Sequence, residues 1–99
     1  MRPIHTARLD KTRFVLVLTR ELVRPHMSRV TVAPITSTVR GLSTEIPVGL
    51  ANGLDHACVV SSDNVVTVPG TVLGPQIGYL LPGQEAALTA AIRAAFDLD

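Results

Sequence analysis

The chain has 99 residues, of which 46% are apolar, and its formal net charge is +1 at pH 7. This length predicts one domain, residues 1–99, that buries roughly 60–70% of its unfolded surface. No apolar run approaches the roughly 20 residues that span a bilayer, and the basic N-terminus lacks the apolar segment of a signal peptide. The single cysteine, Cys58, excludes an internal disulfide. We therefore expect a soluble, cytoplasmic protein with no membrane partner.

The first part of the chain predicts three β-strands. Residues 4–9 form a short candidate strand, and the polar residues 10–12 form a turn. The strongest strand prediction is 13–19, because its uninterrupted apolar run FVLVL is typical of a strand buried on both faces. Residues 29–36 are rich in β-branched side chains and predict the third strand. Within it, Pro34 should produce a bulge or lie at a sheet edge.

The second part predicts shorter strands and one helix. The strand-like segments are 44–48, 57–61, 64–68 and 76–80, separated by turns at Asn52-Gly53, Ser62-Asp63, Pro69-Gly70 and Gly74-Pro75. A helix is predicted over 84–98, where Leu88, Ile92, Ala95 and Phe96 form one apolar face. The expected fold is mainly β: a small SH3-like barrel or twisted antiparallel sheet with a C-terminal α-helix.

Positive charge is concentrated in the first 40 residues. This part contains seven arginines and one lysine but only two acidic residues. From residue 41 onward there are six acidic residues and one basic residue, Arg93. Arginine suits the forked hydrogen bonding that phosphate groups offer. A solvated basic face is the ordinary explanation, but the asymmetry raises the odds of a polyanionic partner.

Several kinds of site find little support. The three histidines are scattered without paired ligand spacing, so no metal site is expected. The seven glycines do not cluster into a nucleotide-binding loop, and no cofactor is expected. Asp10 and Asp63 lack a nearby carboxylate partner of the kind that glycosidases use. Cys58 lies in the apolar run ACVV and is expected to be an inert core residue.

Arg13 and Thr36 lie at the ends of two predicted strands. An arginine anchored on a strand can stabilise charge on a phosphoryl oxygen, and a threonine hydroxyl can donate to the same phosphate. From the residues alone, a salt-bridged Arg13 and an ordinary β-branched Thr36 are the favoured explanations.

A family resemblance changes that balance. RFVLVL, APIT, CVVSSDNVVTV and the L-x-x-x-I-G-Y-L segment, followed by the C-terminal helix, resemble in order and spacing the MazF/PemK (Kid-like) toxin endoribonucleases. The resemblance covers nearly the whole chain. It implies that Arg13 and Thr36 are catalytic, and that Asp63 assists cleavage or binding.

The same resemblance implies further contacts with RNA. The residues beside Asp63 are Ser61, Ser62 and Asn64, and the basic candidates for steering RNA are Lys11, Arg20, Arg29 and Arg40. The family's long first loop, which supplies acid–base chemistry, is reduced here to residues 10–12. The general base therefore stays open between Asp10, Asp63 and water.

The function implied is that of the toxin of a type II toxin–antitoxin pair. It would cleave single-stranded mRNA, rRNA or tRNA without a metal, act as a homodimer and be inhibited by a cognate antitoxin. Toxins of the CcdB type, which bind gyrase without catalysis, share this fold class and provide the main alternative. A small barrel that only binds RNA is the second.

Overall fold

Seven β-strands and one α-helix form the regular structure of the computed structural model, which describes residues 2–98. The strands are β1 (Pro3–Arg8), β2 (Thr12–Val17), β3 (Arg29–Thr36), β4 (Glu45–Val48), β5 (Cys58–Ser61), β6 (Val66–Pro69) and β7 (Leu73–Tyr79), and the helix is α1 (Glu85–Ala95). All the strand pairs are antiparallel. The prediction of a mainly β fold with a C-terminal helix is confirmed.

The long strand β3 organises the sheet. The strand order is β4-β5-β3-β2-β1-β7, and β6 pairs with β3 outside this order. Strand β3 therefore has β2 along one edge, while β6 and then β5 share its other edge. The sheet curls into half a barrel, and α1 covers one of its faces.

The sheet separates two apolar clusters. Leu16 belongs to the larger cluster, which α1 covers with Leu88 and Ala91. Val15 and Val17 alternate to the opposite face, where they pack against valines of β3 and β6. Because consecutive residues of β2 are buried in different clusters, the prediction of a strand buried on both faces is confirmed.

The C-terminal helix is shorter than predicted. It ends at Ala95, and Asp97 takes a left-handed conformation with φ of 54°, which a continuing helix cannot include. Phe96 was expected on the buried face but is 55% exposed, whereas Ala91 is buried beside Leu88. Among the helices of residues 2–98, none combines the length and apolarity needed to cross a membrane.

Of the proline-containing strands β3 and β7, only β7 differs from the sequence prediction. Pro34 lies opposite Val15 in an unbroken register with β2, so of the two expected alternatives, a bulge or a sheet edge, the bulge is not formed. On the other edge, β3 changes partner there from β6 to β5, and this local edge accommodates a residue without an N–H group. Strand β7 begins at Leu73 and runs through Gly74-Pro75, which were predicted to form a connection. It is the outermost strand beside β1, where proline is tolerated.

Two backbone segments cross in direct contact beside α1. A Cβ atom on Gly78 would lie 1.8 Å from the Asn52 carbonyl oxygen, and one on Gly53 would lie 2.1 Å from a carbonyl oxygen of β7. The buried Asn52 side chain secures the crossing, because its Nδ2 donates to the Tyr79 carbonyl at 3.0 Å and to Gln84 Oε1 at 2.7 Å. This network joins β7 to the start of the helix.

The crossing predicts that two glycine substitutions differ strongly in their effect on the free energy of unfolding. Gly78→Ala should lower the free energy of unfolding by about 3 kcal/mol, because the added methyl group meets backbone atoms that cannot rotate away. Gly83→Ala should change it by less than about 1 kcal/mol, since a Cβ there meets no atom within 4 Å. Urea denaturation of both variants measures the difference. Equal stabilities would show that the crossing is looser than described.

Candidate active site

A groove of about 590 Å³ lies where β2 begins and where β3 and β5 end. Six of the residues singled out from the sequence line it: Arg13, Thr36, Arg40, Ser61, Asp63 and Asn64. The strand register explains this convergence. Phe14 lies opposite Ile35, so the start of β2 is beside the end of β3. Val60 of β5 also pairs with Ile35, which brings the following residues to the same place.

Arg13 is held by a two-pronged ion pair. Its Nε donates to Asp10 Oδ1 and its Nη2 donates to Asp10 Oδ2, both at 2.8 Å. Asp10 lies outside the groove lining, on the short turn that connects β1 to β2. A guanidinium carries five N–H groups, and this pair uses two of them. The remaining three, on Nη1 and Nη2, are available to a ligand in the groove.

The same pair fixes the charge on both side chains. Hydrogen bonding to Arg13 holds the pKa of Asp10 far below its ordinary value, and the Asp10 carboxylate raises the pKa of Arg13. Asp10 is therefore ionised at neutral pH, and both of its oxygens accept hydrogen bonds from the guanidinium. A carboxylate in this state is a weak proton acceptor.

Thr36 is oriented by the turn that follows β3. Its Oγ1 accepts a hydrogen bond from the backbone N–H of Thr38 at 3.1 Å. The hydroxyl proton is not used in that bond, so the oxygen keeps a donor for a ligand. Thr36 and Arg13 thus present hydrogen-bond donors to one groove from neighbouring strands.

Residues 61–64 were predicted to contact RNA; three of them line the groove, and the fourth is buried in the core. Asp63 lines the groove and accepts a hydrogen bond from Thr44 Oγ1 at 2.6 Å, while Asn64 Nδ2 donates to Ser61 Oγ at 2.8 Å. Ser62 is completely buried, and its hydroxyl finds no partner among the described residues. The 3₁₀ turn at 62–64 packs against α1 and directs Ser62 inward, so its predicted place beside RNA does not agree with the structure.

Of the four basic residues predicted to steer RNA, only Arg40 lines the groove. Lys11, Arg20 and Arg29 are exposed but lie outside it. Arg20 borders a separate concavity, and Arg29 makes a long 3.5 Å contact with the Thr67 carbonyl. Arg40 is therefore the one of these four candidates that lies in the same groove as Arg13.

Sequence reasoning missed two residues that shape the groove. Thr44 bonds to Asp63, and Glu45 accepts hydrogen bonds from the backbone of residues 40–42. The turn-forming Gly41 was the one signal near these contacts, since its φ of 75° allows the backbone to fold around the Glu45 carboxylate.

Cys58 is buried in the larger core cluster, and burial raises the pKa of its thiol, as expected for an inert side chain. Within residues 2–98, no three His, Cys, Asp or Glu side chains come together as a candidate metal site.

Comparison with known proteins finds relatives that are named as endoribonucleases. Endoribonuclease MazF3 of Mycobacterium tuberculosis is 66% identical over 99 residues, which are 100% of this chain and 96% of that protein. Probable endoribonuclease MazF2 of the same species is 36% identical over 81 residues, 81% of this chain and 79% of that protein.

Solved structures share the fold. The Mycobacterium tuberculosis toxin MazF-mt6 is 65% identical, with a TM-score of 0.97 and coverage of 99% of each chain. A mycobacterial endoribonuclease in complex with its cognate antitoxin is 21% identical, with a TM-score of 0.87 over 98% of this chain and 93% of that one, and shows the fold alone.

A family model described as PemK-like, MazF-like toxin of type II toxin-antitoxin system matches residues 2–96. The resemblance read from the motifs is therefore confirmed. The chain belongs to the PemK-like, MazF-like family of toxins of type II toxin–antitoxin systems.

Proposed function

We propose that the protein is an endoribonuclease that cleaves single-stranded RNA in the groove between β2, β3 and β5, as the toxin of a toxin–antitoxin pair. The observation that carries this proposal is the meeting of Arg13 and Thr36 in one groove, each with N–H or O–H donors left for a ligand. Two such donors can hold one phosphodiester from two sides.

The proposed reaction is a transfer within the RNA itself. The ribose 2′-oxygen attacks the adjacent phosphorus, the bond from phosphorus to the 5′-oxygen breaks, and the products carry a 2′,3′-cyclic phosphate and a 5′-hydroxyl. Arg13 stabilises the negative charge that grows on the phosphoryl oxygens, and Thr36 donates to the same phosphate. Because the nucleophile belongs to the substrate and Arg13 supplies the positive charge, this scheme requires no metal.

A proton must leave the 2′-hydroxyl and another must reach the 5′-oxygen. Asp10 is unsuited to the first role, because its two oxygens hold Arg13 and its pKa is strongly lowered. Glu45 lines the groove, but its carboxylate is bound to backbone N–H groups. Asp63 has one oxygen hydrogen-bonded to Thr44. We propose Asp63, directly or through a water molecule, as the carboxylate that assists proton transfer.

RNA would be bound through its backbone and its unpaired bases. Arg40, Ser61 and Asn64 line the groove, and we propose that they contact nucleotides beside the cleaved bond. Lys11, Arg20 and Arg29 lie outside the groove, where exposed positive charge attracts RNA without reading its sequence. A single-stranded region of mRNA, rRNA or tRNA offers the unstacked bases that such a groove requires.

The working form is proposed to be a cytoplasmic homodimer inhibited by a cognate antitoxin. Phe96 and Leu98 are 55% and 57% exposed beside an apolar groove of about 500 Å³ along α1. Large apolar side chains clustered on a surface are typical of an interface. Replacing Phe96 with Asp should convert the dimer to a monomer in sedimentation measurements, and an unchanged dimer would place the interface elsewhere.

The experiment that tests the function uses purified protein and total RNA in the presence of a chelator. New RNA ends that a kinase can phosphorylate, because they carry 5′-hydroxyls, would support cleavage as proposed. Intact RNA together with inhibited gyrase would favour a CcdB-like toxin, and RNA bound without cleavage would favour a passive barrel. No contact in the groove favours either alternative.

The geometry predicts that two single substitutions remove cleavage. Arg13→Ala and Thr36→Ala should each lower the cleavage rate by about 10²–10³-fold, because each removes a donor aimed at the reacting phosphate. The rate is measured on a fluorescent RNA that wild-type protein cuts. Arg8→Ala and Thr71→Ala are matched controls at exposed positions outside the groove. Full activity in a folded Arg13→Ala protein would contradict the assignment.

The ion pair predicts an unusual titration for Asp10. Its folded-state pKa is depressed, so the pairing stabilises the fold above the ordinary carboxyl pKa of about 3.9 and is lost only as pH falls through the lower folded value. Carbon-detected NMR should find Asp10 ionised from pH 7 to about pH 3. In Arg13→Ala, the pKa should return to near 3.9. A wild-type Asp10 that titrates above pH 5 would restore it as a candidate base.

A further inference from the structure

The connection between β3 and β4 is folded around one carboxylate. Glu45, the first residue of β4, accepts hydrogen bonds at Oε1 from three consecutive backbone N–H groups: Arg40 at 3.2 Å, Gly41 at 2.8 Å and Leu42 at 3.1 Å. Successive N–H groups that converge in this way form a concave site suited to an anion. Here the anion is part of the chain.

The other end of this connection is also secured. Thr44 Oγ1 donates to Asp63 at 2.6 Å, and the Thr44 carbonyl accepts the backbone N–H of Ser62 at 3.0 Å. The segment 40–44 is therefore attached at both ends although all of it but Thr44 is exposed. Such attachment reduces the conformational freedom of a surface loop that borders the groove.

The Glu45 contacts leave the Arg40 side chain free. Glu45 and Arg40 both line the groove, and a direct ion pair between them would neutralise the arginine. Instead, the carboxylate is bound to the backbone of residues 40–42, and the Arg40 guanidinium makes no hydrogen bond or ion pair with residues 2–98. All five of its N–H groups are available to an external ligand.

From these contacts we infer that Glu45 is a positioning residue. It fixes residues 40–42 so that the Arg40 guanidinium forms a second phosphate subsite in the groove, separate from the one at Arg13 and Thr36. The ligand is a backbone phosphate of the bound RNA that flanks the cleaved one, because a free guanidinium fork matches two phosphate oxygens. This inference rests on the proposed RNA-cleaving function and extends it to a residue that acts through another.

A double-mutant cycle tests whether Glu45 acts through Arg40. The probe is a fluorescent RNA carrying a 2′-deoxy sugar at the cleavage position mapped with wild-type protein, and the readout is its dissociation constant. Arg40→Ala and Glu45→Ala should each weaken binding by about five- to tenfold, as expected for one exposed charged contact. The double variant should bind no more weakly than Arg40→Ala alone, because the two changes remove the same contact.

The salt dependence adds a readout that general loss of structure would not move. One lost phosphate contact on a single strand makes the negative slope of log affinity against log salt shallower by about 0.7. Arg40→Ala and Glu45→Ala should both show this reduction. Glu45→Gln should bind nearly as wild type, since its amide oxygen still accepts the backbone N–H groups. Glu21→Ala is the matched control, an exposed glutamate outside the groove.

Gly41→Ala supplies a second route if Glu45→Ala folds poorly. It changes no charge and meets no atom within 4 Å, but it strains a backbone with φ of 75°. It should weaken binding in wild-type protein and have no further effect in Arg40→Ala.

Three results would overturn the inference: tighter RNA binding by Glu45→Ala, which would mean that the carboxylate merely repels RNA; additive effects of the Glu45 and Arg40 substitutions; or an unchanged salt slope. Cleavage that still depends on Arg13 in those cases would leave the proposed function standing. Absence of cleavage by the wild-type protein would reject the proposed function itself.

Discussion

The antiparallel register of β2 and β3 is the constraint on which the candidate site depends. With Phe14 opposite Ile35, the first residues of β2 lie beside the last residues of β3, and Arg13 and Thr36 reach one groove. Alternate side chains of β2 are buried in two apolar clusters, so a slip by one residue would exchange those clusters and turn Arg13 away. Core packing therefore holds the candidate site residues Arg13 and Thr36 in place.

Carboxylates organise the donors of the groove. Asp10 accepts hydrogen bonds from one edge of the Arg13 guanidinium, and Glu45 accepts them from the N–H groups of residues 40–42, so that the remaining donors of Arg13 and Arg40 are available to a ligand. A preorganised donor need not be rearranged during the reaction, which is why such groups contribute strongly to catalysis. The short turn that bears Asp10 thus has a defined role, although it lacks the length of the family's first loop.

The sequence predicted the strands, the family and half of the residues that line the groove, because strand ends and short motifs are local features. It missed contacts that depend on three-dimensional placement. Glu45 could not be found, since its partners are backbone groups arranged by a left-handed Gly41. Ser62 was assigned to RNA although a 3₁₀ turn directs it into the core. Phe96 followed the helical spacing but lies beyond the last turn of α1.

The proposed function requires that one phosphate is held between Arg13 and Thr36. A crystal structure of the protein bound to an RNA with a 2′-deoxy sugar at the cleavage position tests it directly. We expect the phosphate at that position to lie within hydrogen-bonding distance of the Arg13 Nη atoms and Thr36 Oγ1, with the ion pair between Arg13 and Asp10 intact. A phosphate bound elsewhere, with Arg13 and Thr36 making no contact to RNA, would contradict it.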